Sequence, residues 1–188
     1  MSVAAAETAA ALSPEQLLSG LWADARLRVY AMVLGSRMAG LPDRLTQADN
    51  LDYHCLVPGA LSAAQRVRAP YLVELRRDSP FSRWLLLEAA AGFADWGVVA
   101  RSSARLLDVR SHARELRTAV SPEGQIFRLD WMDPVVLDLL LGAATPDQLQ
   151  TIFGRFDALT VTMPQRWREY RLAAGRLQLA SIDVLRAG

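Results

Sequence analysis

The sequence has no lysine; all 21 of its basic side chains are arginine. Without lysine there can be neither a P-loop lysine on a phosphate nor a lysine Schiff base. Cysteine is almost as scarce. A single thiol, Cys55, excludes an internal disulfide framework and points to a reducing compartment. Histidine occurs twice, as His54 and His112. His54 and Cys55 are neighbours, and neighbours on a strand point to opposite faces, so they are badly placed for a nucleophile–base pair. His54 is expected to cap or line a sheet face, and Cys55 to pack as a small apolar residue. Asp108, His112 and Glu115 converge at helical spacing, but two carboxylates and one imidazole make an incomplete metal site. A salt-linked surface is expected there.

Other absences narrow the field further. The 11 glycines form no G-x-G-x-x-G, no Walker-type loop and no G-x-S-x-G elbow. No catalytic, metal or cofactor-binding residues are assigned, and no cofactor or small-molecule substrate is expected. The net charge of +1 gives no strong field toward nucleic acid or an anionic membrane. The most apolar region, residues 85–100, is interrupted by Glu88 and Asp95, whereas a membrane span needs about 20 consecutive apolar residues. The N-terminus has no basic start and carries Glu7, so no secretory leader is read. A cytoplasmic protein without membrane insertion is expected.

What is present is apolar: 52% of 188 residues, enough for one domain with a substantial core. Four helix starts share one pattern, a short polar residue followed by proline: Ser13-Pro14, Ser79-Pro80, Asp133-Pro134 and Thr145-Pro146. The polar side chain accepts from orphan N–H groups and proline supplies a helical φ. Gln16 and Gln148 are placed to complete capping boxes. Between these starts lie strand-length apolar runs at 28–34, 52–57, 71–76, 96–101 and 126–132, with a weaker one at 159–163. The pattern predicts a mixed α/β fold: a small mixed β-sheet flanked by helices, followed by a helical C-terminal part. Residues 1–12 read as a flexible tail and 13–160 as the main domain. Residues 161–188 read as an amphipathic arm with Trp167, Tyr170, Ala174 and Leu177 inward. A helix over 103–119 should turn Leu106, Val109, Ala113, Leu116 and Val120 to the sheet, leaving Arg110, Arg114 and Arg117 on a solvated flank.

Several segments, in order, carry a resemblance. They are Leu27 to Gly35, Ala69-Pro70-Tyr71-Leu72-Val73-Glu74-Leu75, and Ser79-Pro80-Phe81-Ser82-Arg83-Trp84. They continue with Trp96 through Arg101-Ser102, Asp133-Pro134-Val135-Val136-Leu137, and Thr145-Pro146-Asp147-Gln148-Leu149 through Phe153-Gly154. Together, over roughly residues 27–160, they resemble the adaptor (effector chaperone) family of bacterial type VI secretion, domain of unknown function 4123. The residues that match this family's scaffold are Gly35, Pro70, Tyr71, Phe81, Trp84, Arg101, Ser102, Asp133, Pro134 and Gly154. Three positions depart from its pattern: Leu34 stands where an acid is frequent, Asp130 where an arginine is, and Val135 where another is. A polar network centred there would be rewired, with Arg128 and Asp130 pairing instead.

The resemblance implies a function without chemistry. Such a protein holds a cognate toxic effector in the producing cell and helps mount it on the VgrG-type spike. The expected partners are therefore the effector and the spike, and the variable partner-reading lobe would be reduced to residues 161–188. Aromatic and arginine side chains anchor protein interfaces, which makes Arg128, Trp131, Trp167, Tyr170 and Arg171 the candidate partner-binding residues. Trp131 is also read as core, because Phe127, Leu129 and Trp131 alternate onto one face. Deleting residues 164–188 is expected to leave a folded domain that binds effector less well. The competing readings are a small α/β hydrolase-like enzyme and a generic interaction scaffold.

Overall fold

The computed structural model describes residues 7–185 apart from positions 49 and 122, with residues 7–10 described by backbone alone. It is a mixed α/β fold built on a sheet larger than the sequence suggests, with eight strands. Three strands form its centre: β2 (Arg28–Leu34), β4 (Pro70–Leu75) and β5 (Gly97–Ser102). β2 pairs antiparallel with both of the others. Its apolar run has no polar alternation because helices cover both faces. The short strand β3 (Tyr53–Cys55) flanks β4 at one edge. On the other side follow β8 (Ala158–Thr162), β9 (Arg166–Ala173) and β10 (Arg176–Val184), with β1 (Glu7–Leu12) outermost and parallel to β10.

Alternation splits the core in two. Val29, Ala31, Val33, Tyr71, Val73 and Val99 face one layer of helices. That layer comprises α1 (Pro14–Leu21), α2 (Leu41–Gln47) and a helical run of α4 (Pro80–Arg83), a π-helical turn (Trp84–Glu88) and α5 (Ala89–Gly92). Tyr30, Met32, Leu72, Val98, Ala100 and Leu159 face the other. There lie α6 (Leu106–Glu115), α7 (Pro134–Ala143) and α8 (Pro146–Phe153). A further short helix, α3 (Ala63–Arg68), contributes no buried residue and is capped by a Ser62/Gln65 box that the sequence reading missed. Between α6 and α7 a two-stranded hairpin, β6 (Thr118–Val120) and β7 (Ile126–Arg128), stands apart from the main sheet.

All four expected helix starts are present, though they differ in detail. Ser13 and Thr145 make full capping boxes, and Asp133 accepts from Val135 N–H. Ser79 precedes its proline without a side-chain cap bond.

The C-terminal part is not helical. Residues 166–173 and 176–184 form a hairpin closed by Ala174 and Gly175, both at positive φ (48° and 72°). This is the left-handed pair that tight β-turns require. Alanine is an uncommon first residue for such a turn, which hid it, and the three- and four-residue spacing of Trp167, Tyr170, Ala174 and Leu177 suggested a helix. Of the expected N-terminal tail, residues 7–12 are a strand held by pairing to β10, while residues 1–6 lie outside the described residues. The expected strand over 126–132 stops at Arg128, because the chain then turns Trp131 into the core and bends at Asp130, whose carbonyl accepts from Asp133 N–H at 3.0 Å.

Candidate surface at the hairpin and its arginines

α6 lays Val109 and Ala113 on the sheet, but its C-terminal continuation does not follow the helical periodicity. Val120 is 63% exposed, on the hairpin. Arg117, expected on a solvated flank, is only 7% exposed, and its Nη1 donates to the Leu56 carbonyl at 3.1 Å. Arg114 donates in the same way to the Cys55 carbonyl at 2.6 Å. Two guanidiniums from the α6 region thus cover carbonyls at and just beyond the end of edge strand β3, where open backbone groups would otherwise invite pairing.

The hairpin is joined to this frame by backbone. Leu129 N–H donates to Arg117 C=O at 2.8 Å, and Ser121 N–H to Gln125 C=O at 2.8 Å across the turn. Trp131 is fully buried, with its indole N–H on the Ala113 carbonyl at 3.2 Å, and it packs against Phe156. On this support the hairpin presents apolar side chains to solvent. Val120 stands opposite Ile126, which is 74% exposed, and Ala119 opposite Phe127, which is 48% exposed.

Two open grooves of about 320 Å³ each meet at Arg128. The first lies between the hairpin and Leu56-Val57-Pro58, and Arg114, Arg117 and Arg128 line it. The second runs past Leu34, Arg37, Arg68 and Pro70 to Asp130 and Asp133. Asp133 caps α7 and also binds Arg37 at 2.7 Å. Arg128 pairs with Asp130 at 3.1 Å, the rewired contact expected from the sequence. The same Asp130 oxygen lies 3.6 Å from Arg117 Nη2, too far for a hydrogen bond. Burial, then the Arg128 charge, pushes the Arg117 guanidinium below its usual pKa, and Asp130 opposes this. His54, beside the same helix, is held below its usual pKa by burial and then by Arg110 and Arg114.

The other candidate anchors fall elsewhere. Trp131 is core. Trp167 and Tyr170 are also buried, in opposite layers of the core. The Tyr170 hydroxyl donates to Asp138, which also pairs with Arg168. Arg171 is exposed but bound to Glu169 at 2.6 Å, and Glu169 in turn holds buried Arg101 at 2.7 Å. Of the five proposed partner-binding residues, Arg128 alone lies in the grooves, and the structure does not bring the five together. Burial of Trp131 agrees with the core reading its strand alternation allowed, and Trp167 and Tyr170 are buried on a strand of the main sheet rather than on a helical arm.

The scaffold residues do structural work that their types explain. Gly35 passes under the carbonyls of Val67 and Ala69, where a Cβ would lie 2.5 Å from each oxygen. Pro70 opens β4, and the Tyr71 hydroxyl donates to Arg66 C=O at 2.9 Å. Phe81 and Trp84 form an aromatic cluster with Phe93, capped by the Arg44 guanidinium 4.4 Å from the Trp84 ring centre. The Ser102 hydroxyl donates to Arg155 C=O at 2.5 Å and accepts from Ala104 N–H, so it ties down the strand-to-helix step without capping the helix itself. Pro134 is the first residue of α7. Gly154 ends α8 against His112, whose Nε2 meets the Ile152 carbonyl at 3.0 Å. No ion pair among the described residues involves Asp108, His112 or Glu115, so the salt-linked face expected there is not seen. Among the described residues, no group of three or more His, Cys, Asp or Glu side chains is placed to hold a metal ion. No helix among them is long and apolar enough to cross a membrane.

Sequence reasoning missed Arg117, Arg114 and the Val120–Ile126–Phe127 surface. The available signal was Ser121 to Gln125, a turn-rich segment between two short apolar runs, which marks a hairpin.

No curated protein and no solved structure matches the chain. One protein-family model does, over residues 29–151, well over half of the sequence. The matched stretch contains the hairpin and both grooves but stops short of β8, β9 and β10. This chain belongs to the family described as domain of unknown function, DUF4123.

Proposed function

We propose that this protein is a cytoplasmic, non-catalytic adaptor of a type VI secretion system. It holds a cognate toxic effector and promotes its loading onto the VgrG-type spike. Two things support the reading: the ordered motifs shared with the effector-adaptor family, and a surface suited to holding protein.

The observation that carries it is the hairpin. Val120 and Ile126 are exposed as a cross-strand pair on one face of a short two-stranded element and Phe127 on its other face; the element is anchored through Leu129 and Trp131, with three arginines beside it. Apolar side chains that cost solvation when free become an energetic gain when a partner covers them. Arginine and aromatic groups then supply the anchors that interfaces favour.

The test is co-expression with a toxin and a spike whose genes adjoin this one, an arrangement the adaptor reading requires. The wild-type protein should co-purify with the toxin, and its deletion should abolish toxin export while leaving toxin synthesis intact. An adaptor that binds neither toxin nor spike, or a deletion strain that exports normally, would refute the assignment.

A further inference from the structure

We propose that the groove between the hairpin and Leu56-Val57-Pro58 receives an acidic–apolar peptide segment of the partner, whose carboxylate displaces Asp130 from Arg128. This rests on the adaptor reading and adds the chemistry of the segment that is held.

Charge is the first argument. Arg114, Arg117 and Arg128 line this groove, and no Asp or Glu does. Asp130 is the acidic side chain that reaches the group, and it is divided between two arginines, bonded to Arg128 at 3.1 Å and 3.6 Å from Arg117. One carboxylate therefore serves two guanidiniums incompletely.

The arginines are also unequal. Arg117 is buried, and both its Nε and its Nη2 lack a hydrogen-bond partner, as does Nε of Arg114. Buried donors without acceptors cost stability. Nε and Nη2 form the side edge by which arginine takes a carboxylate with two parallel bonds. Solvent does not reach that edge, but Asp130 lies just beyond bonding range. Arg128, by contrast, has a 59% exposed side chain standing where the two grooves meet.

An incoming carboxylate can therefore occupy the exposed fork of Arg128. Asp130, released, closes the remaining few tenths of an ångström onto Arg117. Each carboxylate then has its own guanidinium, and the buried one gains its missing acceptor. The exchange replaces the exposed Asp130–Arg128 pair with one between the incoming carboxylate and Arg128, and tightens the existing 3.6 Å contact of Asp130 with Arg117, whose guanidinium is sheltered from water, where charge interactions are stronger.

The apolar part of the segment follows from the walls. Val57, Pro58, Ile126 and Phe127 flank the arginines, so a carboxylate bracketed by aliphatic or aromatic side chains fits, and a uniformly acidic stretch does not. An oligonucleotide would satisfy the charge but leave these walls bare.

The probes are a fluorescent nonapeptide alternating Glu with Leu and Phe, its Gln counterpart, its Lys counterpart, and a single-stranded oligonucleotide of similar length. The full-length protein should bind the Glu peptide at least tenfold more tightly than the Gln peptide. Binding should weaken with added salt, and neither the Lys peptide nor the oligonucleotide should compete. Arg128→Ala should reduce binding about tenfold without changing the thermal midpoint, because Arg128 is exposed. Asp130→Asn should tighten binding, since the internal competitor is gone. Equal binding of Glu and Gln peptides, preference for the oligonucleotide, or indifference to Arg128→Ala would each overturn the proposal. If toxin co-purifies with wild type and with Arg128→Ala equally, the groove assignment fails while the adaptor reading stands. If toxin does not co-purify with wild type, the adaptor reading itself fails.

Discussion

Gly35 is closed in by two backbone oxygens that have nowhere to go, since one belongs to Ala69, whose carbonyl also accepts the Gly35 N–H at 3.0 Å. A methyl group there must push β2 and the α3–β4 junction apart. Gly35→Ala is expected to cost about 1–3 kcal/mol, the range for overpacking, seen as a lower urea midpoint at unchanged slope. A second residue-scale test concerns Asp138. Its carboxylate serves both Arg168 and the Tyr170 hydroxyl, and burial together with that acid pushes the Tyr170 phenol well above its ordinary pKa. Asp138→Ala leaves two donors without their acceptor and should cost about 2 kcal/mol. Tyr170→Phe should cost less, because it removes a donor and keeps the packed ring. Equal losses from the two would show that the Tyr170 hydroxyl, and not the Arg168 pair, carries the whole contribution of Asp138.

At the scale of elements, the same dipeptide pattern has unequal energetic content. Thr145 caps α8 through a complete box, whereas Ser79 makes no side-chain cap bond. Thr145→Ala should therefore cost about 1 kcal/mol and Ser79→Ala much less, measured by denaturant unfolding. The C-terminal hairpin matters more. β9 pairs with β8, supplies Trp167 to one core layer and Tyr170 to the other, and its Glu169 neutralises buried Arg101. Removing residues 164–188 would strip β8 of a neighbour, leave Arg101 without its acid and remove the partner of β1. The truncated chain is expected to lose cooperative unfolding and bind a hydrophobic dye. This reverses the expectation that the segment is a detachable arm. A soluble truncation with a sharp thermal transition would restore it.

Across the whole molecule, the +1 net charge conceals an uneven distribution. Arg110 and Arg114 beside His54, with partial burial acting first, hold its imidazole below the usual value of 6.5, and Asp52 only partly offsets them. The unfolded chain therefore binds this proton more readily than the folded one. Stability attached to His54 is present above the unfolded pKa and is lost as pH falls through about 6.5 toward the depressed folded value. The unfolding midpoint should drop over that window, and His54→Asn should flatten the drop. A midpoint insensitive to pH between 7.5 and about 5.5 would show that neither burial nor the neighbouring arginines disfavour the charged His54 imidazole in the folded chain.

The chain alone determined whatever depends on near neighbours. Ser13, Asp133 and Thr145 could be read as caps because a cap needs only the next few residues. Arg28 to Leu34 could be read as a central strand because burial on both faces leaves an unbroken apolar run. The motifs from Gly35 to Gly154 likewise carried the family. Tertiary structure decided the rest. Ala174-Gly175 became a turn, and Glu7 to Leu12 a strand, only because β8 and β10 were there to pair with. Trp167 and Tyr170, read as inward from the sequence, went to opposite layers of the core for the same reason. Arg117 left the solvated flank only because Leu56 offered a carbonyl 61 residues away. Side chains whose environment is set by distant backbone carry no local signature, and the proposed binding groove is made of them.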